Sequence, residues 1–177
     1  MSKIVKIWGG PGIGKSVCAL RVSGELSIQI GPRESVEYVG EYAKQLVWQE
    51  QYSMLDHQPT VTKGQIALLA PLGKCDFVVT DSPLELGLIY GKKSYLNEVE
   101  KLIAEHKKNN PVQELNILLT RDRKDFQKEG RVHTLQESIV VDCEIVKMFH
   151  KQNIPYTQVS NTISPSDLCR IILQHYE

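Results

Sequence analysis

The sequence predicts an α/β fold in three layers, a parallel sheet covered by helices on both faces. Three observations carry that prediction. Short apolar, β-branched runs recur at residues 3–8, 77–79, 115–119 and 156–159. Stretches of a dozen or more residues with apolar side chains at helical spacing separate them. The first run stops at Gly9-Gly10-Pro11-Gly12, so a buried strand feeds a tight loop and then a helix.

Taken in order, residues 3–8 form the first strand and residues 15 to about 26 the helix after it. Residues 35–39 are a weaker strand. Residues 41–55 follow as one helix, with Ala43, Leu46 and Val47 on one face, and Pro59 breaks the pattern. Residues 62–72 are the next helix. The strand of Phe77, Val78 and Val79 ends in Thr80-Asp81-Ser82-Pro83. Leu96, Val99, Leu102 and Ile103 then predict a helix over about 95–106, stopped by Lys107-Lys108-Asn109-Asn110-Pro111. Residues 115–119 are a third clear strand. Ile139, Cys143, Val146 and Phe149 lie at i, i+4, i+7 and i+10, which predicts a long amphipathic helix over about 135–151. Residues 156–159 are the last strand. Ser164, Pro165 and Asp167 supply the N-cap, N1 and N3 residues of a closing helix that carries Leu168, Ile171 and Ile172.

The chain has 177 residues, a length that suits one domain, residues 1–177, without repeats or a linker. Hydrophobic residues make up 41% and charged residues 24%, which excludes wholesale disorder. The 21 basic side chains balance 21 acidic ones, so no global positive field draws the protein onto nucleic acid or an anionic membrane. The longest apolar run is residues 66–72, too short to span a bilayer, and Lys3, Lys6 and Gly9 interrupt any signal-peptide core. A cytoplasmic location is expected. Cys18, Cys75, Cys143 and Cys169 are scattered and read as reduced and mostly packed.

Residues 9–16 fit the pattern G-x-x-x-x-G-K-[ST], between a strand and a helix as its mechanics require. At this composition a chance match is expected roughly 0.007 times per chain. Glycines let backbone N–H groups and the helix N-terminus face phosphate oxygens. The expected nucleotide-binding residues are Gly10, Pro11, Gly12, Ile13, Gly14, Lys15, Ser16 and Val17. Lys15 would reach the β- and γ-phosphates, and the Ser16 hydroxyl would ligate Mg²⁺.

Asp81 ends an apolar run, which places it at the carboxyl edge of the sheet as a second Mg²⁺ ligand; a turn or N-cap Asp is the alternative. Glu41 follows the weak strand and is the first candidate for the carboxylate that orients an acceptor hydroxyl and takes its proton. A solvated acid at a helix N-terminus is the other reading of Glu41, and Glu37 and Asp56 are weaker candidates. Residues 120–134 carry five basic side chains between a strand and a helix, the composition of a lid over a nucleotide. Arg121, Arg123 and Arg131 would close on the transferring phosphoryl group, unless the segment is simply a solvated charged loop. His133 has a functional case only because it lies there. Trp48, Tyr42 and Tyr52 are read first as helix core packing, with stacking on an acceptor base as the alternative.

Residues 9–16, Val36-Glu37-Tyr38-Val39-Gly40-Glu41-Tyr42-Ala43-Lys44, Val79-Thr80-Asp81-Ser82-Pro83-Leu84, residues 121–131 and Ile154-Pro155-Tyr156 resemble a family of small P-loop ATPase/kinase domains. That family includes the ribosylnicotinamide kinase domain of bifunctional bacterial NAD regulators and many bacteriophage proteins. The likeness spans almost the whole chain, and is specific in the phosphate loop, moderate at Glu-Tyr-Ala-Lys and Thr-Asp-Ser-Pro, and loose elsewhere. It implies a five-stranded parallel sheet of the nucleoside-monophosphate-kinase type, order 2-3-1-4-5, with an arginine-bearing lid. It also implies ATP, Mg²⁺ and phosphoryl transfer to a hydroxyl on a nucleoside-like acceptor. Related phage kinases act on nucleotides, polynucleotide ends or hydroxymethylated pyrimidines in DNA, so a DNA contact through the lid is among the expectations. The sequence departs from the NAD regulators by lacking their adenylyltransferase domain and by carrying Lys44 where they tend to have Arg.

The leading expectation is therefore an ATP-dependent kinase acting on a nucleoside, a nucleotide or a hydroxymethylated base in DNA. A P-loop ATPase or nucleotide-dependent switch acting on a partner protein is the alternative. A nucleotide-binding module without turnover is disfavoured because Lys15, Ser16 and Asp81 are all intact. A pI near 7.0 argues against a long DNA footprint.

Overall fold

The computed structural model describes residues 1–121 and 134–177. The first strand, β1 (Lys3–Trp8), is buried along nearly its whole length, as a strand covered on both faces must be. It is followed by α1 (Lys15–Ile30), β2 (Val36–Val39), α2 (Tyr42–Trp48), α3 (Tyr52–Leu55), α4 (Gln58–Leu69), β3 (Phe77–Thr80), α5 (Leu86–Tyr90), α6 (Leu96–Asn109), β4 (Gln113–Thr120), α7 (Leu135–Gln152), β5 (Thr157–Ser160) and α8 (Pro165–Tyr176). The five strands among the described residues pair in the order β2-β3-β1-β4-β5, the order the family resemblance implies. Every pairing is parallel, and Val5 stands opposite both Val79 and Leu115.

Alternation along β1 sends Val5 and Ile7 to one face and Ile4, Lys6 and Trp8 to the other. On the first face Val5, Ile7, Val79, Leu115 and Ile117 pack against Ala19, Val22 and Leu26 of α1 and Leu168 and Ile172 of α8. On the second, Ile4 and Val78 meet Leu69 of α4 and Val99 and Ile103 of α6. Trp8 and Leu118 complete that face under Val141, Ile145 and Phe149 of α7. The Trp8 and Phe149 rings meet edge to face with centroids 4.9 Å apart. Parallel pairing gathers the carboxyl ends of all five strands at one edge. Gly9, Gly40, Asp81, Arg121 and Asn161, the residues that directly follow the five strands, therefore share that edge, and this is what assembles the site.

Several elements differ from the sequence expectation. The helix expected over 41–55 is two, α2 and α3, because Glu50 adopts a left-handed φ of 57° between them. Pro59 lies in the first turn of α4 rather than ending a helix, since its missing N–H costs nothing there. α4 thus starts at Gln58, before the expected residue 62, and residues 70–72 form a 3₁₀ turn. α5 has no counterpart among the expected elements, being only five residues long, too short to show a period. The stripe expected on α7 is rotated: Ile139 and Cys143 are exposed, and the buried face is Ser138, Val141, Ile145, Met148 and Phe149. The run Ile139-Val140-Val141 left the phase open, and the fold selected the phase that turns Ser138 and Asp142 toward the loop after β1. No helix among the described residues is long and apolar enough to cross a membrane.

Candidate active site

The loop between β1 and α1 has the form of an anion cradle. Gly14 occupies the N-cap of α1 at φ 103°, a left-handed conformation that favours glycine, and no side chain caps the helix. No acid lies in its first turn, so no side-chain negative charge competes with an anion at the helix N-terminus. Lys15 lies back across the loop, its Nζ donating to the Gly10 carbonyl at 3.2 Å.

The loop is fastened from outside by residues of three other elements. The Asp142 carboxylate on α7 accepts from the Gly10 N–H. The Ser138 hydroxyl, one turn earlier on α7, donates to the Pro11 carbonyl. Arg121, just after β4, donates from Nη2 to the same carbonyl at 3.1 Å and from Nε to Asp142 Oδ2 at 2.7 Å. Asn161, after β5, donates to the Ile13 carbonyl at 3.3 Å. The close approach of α7 requires a glycine at position 10, where an added Cβ would overlap the Ser138 carbonyl and stand 2.8 Å from Asp142 Oδ1. Arg121 thus has the loop and Asp142 as partners, where the sequence suggested a lid arginine over the phosphates. Arg123, Arg131 and His133, with the body of the expected lid at 120–134, lie outside the described residues. Its two ends, Thr120 and Thr134, are the last residue of β4 and the N-cap of α7.

Asp81, one residue beyond β3, is 2% exposed, and its Oδ1 has no hydrogen-bond partner among the described residues. A buried carboxylate oxygen left that way costs on the order of 1–3 kcal/mol, more when charged. The Tyr38 phenol on β2 lies beside both Asp81 and Ser16, which brings those two side chains near one oxygen atom. Burial first, then the charge of Asp81, pushes the Tyr38 phenol well above its ordinary range. An orphaned carboxylate oxygen beside a hydroxyl is an oxygen-donor set that fits Mg²⁺. No cluster of three or more His, Cys, Asp or Glu side chains that could hold a metal occurs among the described residues.

A cleft of about 550 Å³ opens beside the loop. Lys15, Ser16, Glu41, Ser82 and Pro83 line its phosphate-loop side, and Lys44, Trp48, Tyr52, Gln58, Thr62, Leu86 and Tyr90 are among its other walls. Glu41 stands at the N-cap of α2 and is held there by its neighbours. Gln65 of α4 donates to the Gly40 carbonyl at 3.0 Å and accepts from the Tyr42 N–H at 2.8 Å. Any side chain at Gly64 would overlap the Tyr42 ring, so α2 and α4 lie in close contact there. Glu37 is exposed, and Asp56 pairs with Lys92 at 3.6 Å in solvent, although it borders the cleft. Core packing, the first reading of Trp48 and Tyr52, does not hold. Trp48 is 74% and Tyr52 56% exposed, because the break at Glu50 turns both rings onto the cleft wall.

Beneath the Asp81 loop lies a buried charge network. Lys6, in the middle of β1 and 4% exposed, bonds Glu85 Oε1 and Glu114 Oε2, each at 2.8 Å. Lys107 bonds the same two carboxylates at 2.7 and 3.3 Å. Burial raises the Glu85 carboxyl, but the two ammonium groups outweigh it and hold its pKa at about 2.

Sequence reasoning missed Tyr38, Thr62, Gln65, Ser138 and Asp142. The signal for the last two was a polar pair four residues apart on an otherwise apolar helix face. For Gln65 and Thr62 there was none, since a polar residue on α4 reads as solvent-facing until the helix has a neighbour.

No curated protein matches the chain. Solved structures match it throughout. The NadR protein in complex with NR superposes with a TM-score of 0.71 at 13% identity, over 99% of this chain and 51% of that one. The chain thus spans about half the length of NadR. Deoxyadenosine kinase from M. mycoides with bound dATP matches with a TM-score of 0.56 at 16% identity, covering 98% of each chain. Thymidylate kinase from Ehrlichia chaffeensis gives 0.66 at 11% identity, covering 100% of each. At these identities the likeness is one of fold, the P-loop kinase fold. Residues 4–164 match the family described as AAA domain, and the chain belongs to that family.

Proposed function

We propose that the protein is an ATP-dependent kinase that transfers the γ-phosphoryl group to a hydroxyl of a nucleoside-like acceptor held in the cleft. One observation carries the reading: the cleft shares Lys15, Ser16 and Glu41 with the phosphate-loop side of the site. An ATPase switch needs the cradle alone. A phosphotransferase needs a second, roomy chamber sharing a wall with it, and the exposed Trp48 and Tyr52 rings give that chamber the apolar faces a nucleobase or similar ring requires. The kinases among the matching structures support the same class.

In this reading Gly10 to Val17 hold the ATP phosphates through backbone N–H groups, and Lys15 leaves the Gly10 carbonyl to meet the β- and γ-oxygens. When bound, Mg²⁺ neutralises phosphate charge, and Ser16 and Asp81 are the residues that hold it. The acceptor oxygen bonds to the γ-phosphorus as the bond from that phosphorus to the β-bridging oxygen breaks. Glu41 takes the hydroxyl proton, and ADP leaves. Arg121 sets the shape of the loop through Pro11 and Asp142, while Arg123 and Arg131 are assigned to the transition-state charge. The whole of residues 1–177 forms one kinase domain, with residues 120–134 as its lid.

The test is γ-labelled ATP with Mg²⁺ and a panel of nucleosides, nucleoside monophosphates, nicotinamide riboside, 5′-hydroxyl DNA and DNA bearing hydroxymethylpyrimidines. Label on one acceptor, absent with Lys15→Ala, is the expected result. Label released only as inorganic phosphate whatever is added would replace the kinase by the ATPase switch.

A further inference from the structure

The charged side chains that border the cleft, among the described residues, are Lys15, Glu41, Lys44 and Asp56. Three of them are already engaged: Lys15 lies across the phosphate loop, Glu41 is the proposed base, and Asp56 pairs with Lys92. Lys44 is not. It is exposed on the cleft wall and makes no ion pair or hydrogen bond among the described residues.

The position of Lys44 along α2 gives that cation a setting. Glu41, Lys44 and Trp48 fall at i, i+3 and i+7, so they share one helical face, and all three border the cleft. At roughly 1.5 Å per residue, Lys44 stands about 4.5 Å along the axis from Glu41, and Trp48 about 6 Å further. Tyr52 continues the row beyond the left-handed turn at Glu50. From the phosphate loop outward the wall therefore presents a carboxylate, a cation and then two aromatic rings. A nucleoside answers two of these, with its hydroxyl and its base. A phosphate ester on the sugar, beside the accepting hydroxyl, answers the third, and cations set among stacking rings are how proteins hold a nucleotide of a single strand.

We propose that Lys44 binds a phosphate that the acceptor already carries, so that the substrate class is a nucleotide with a free sugar hydroxyl rather than a nucleoside. The free hydroxyl lies toward Glu41, the phosphate at Lys44 and the base against Trp48 and Tyr52. Lys44 is specificity-determining: it meets a part of the substrate that does not react, apart from the transfer step at Lys15 and Glu41. An ammonium acts as a point charge, so the terminal phosphate of a mononucleotide and the backbone phosphate at a strand end offer it the same chemistry. A single cation also agrees with the net charge of +0, which suits one held phosphate and not a long track along a duplex. The assignment rests on the cleft being the acceptor site.

The experiment is calorimetric titration of the full chain, with Mg²⁺ and ADP present to fill the phosphate loop. The titrants are the four deoxynucleosides, their 3′- and 5′-monophosphates, and short 5′-hydroxyl oligodeoxynucleotides. For at least one base a phosphorylated form should bind about 5- to 20-fold more tightly than its nucleoside, the effect of one charge-assisted contact. Lys44→Gln should bring that form down to the affinity of the nucleoside, and Lys44→Arg should retain the preference. Because the side chain is exposed, neither variant should move Tm by more than about 2 °C. A preference for the monophosphate or for the oligonucleotide supports the proposal in either case and identifies the source of the phosphate. The proposal is overturned if nothing binds, if every nucleoside binds as tightly as its phosphorylated forms, or if the advantage survives Lys44→Gln. It is also overturned if Lys44→Gln weakens nucleoside and nucleotide alike. A protein that loses the preference with Lys44→Gln yet transfers no label refutes the kinase reading and leaves the phosphate site standing. Label transfer together with a preference indifferent to Lys44 does the reverse.

Discussion

Replacing Glu85 by Gln tests whether the charge network under the Asp81 loop is as tightly paired as its geometry indicates. The substitution keeps the shape but leaves Lys6 and Lys107 sharing the single carboxylate of Glu114. Removing one partner of a buried ion pair costs about 3–5 kcal/mol, and the part-exposure of Lys107 and Glu114 points to the lower end. The pKa offers a second route to the same figure. A carboxyl moved from 4.5 down to about 2 by folding contributes about 3 kcal/mol at neutral pH. For a chain of this size that is a fall in Tm of roughly 6–12 °C. The pH dependence has a definite sign. A carboxyl depressed in the folded state stabilises it fully above pH 4.5, and the contribution drains away as pH falls toward about 2. Thermal unfolding followed by circular dichroism from pH 2.5 to 8 should show a constant gap between wild type and Glu85→Gln above pH 5 that narrows below 4.5. Equal melting temperatures at pH 7, or a gap that stays constant down to pH 2.5, would refute the pairing argument.

Gly10→Ala should lower ATP affinity at least tenfold in calorimetry and destabilise by about 1–3 kcal/mol, because the methyl overlaps the Ser138 carbonyl; wild-type affinity would show that α7 yields freely. Trp48→Ala removes an exposed ring, so Tm should move by less than about 2 °C, while the acceptor KM rises about 3- to 10-fold through lost stacking. An unchanged KM would take Trp48 out of the acceptor wall. Arg121→Lys cannot bond both Asp142 and the Pro11 carbonyl with the same fork, and should weaken ATP binding about 5- to 20-fold; full affinity would make the latch ornamental.

The fold and the phosphate loop were legible because both are written in local patterns. Over residues 3–16 an apolar run meets a glycine loop and a Lys-Ser pair at fixed spacing, and no distant residue is needed to read it. The strand order, by contrast, came from family resemblance, since β1 pairs with β3 and β4, both far away in sequence. What stayed hidden was tertiary in origin. Trp48 reads as core on any helical wheel, and only the left-handed turn at Glu50 brings it to the cleft. Arg121 reads as one lid arginine among several, and its 2.7 Å bond to Asp142 of α7 has no local signal in the sequence. Lys6, inside an apolar strand, reads as an interruption, and its two carboxylate partners come from the loop before α5 and from β4.

The first of the described strands in chain order, β1, is the middle of the sheet. During synthesis β1 has no neighbour until β3 emerges roughly 70 residues later, a wait of about 4–15 s at ordinary elongation rates. For that interval a hydrophobic segment is exposed in a nascent chain, where it is at risk of pairing with other chains. Lys3 and Lys6 break the segment with charge, and the glycine loop shortens it, so both discourage aggregation before any partner exists. Lys6 therefore serves twice over the life of the molecule, first as a gatekeeper on the ribosome and then, once Glu85 and Glu114 have been made, as the buried cation that ties the finished sheet together.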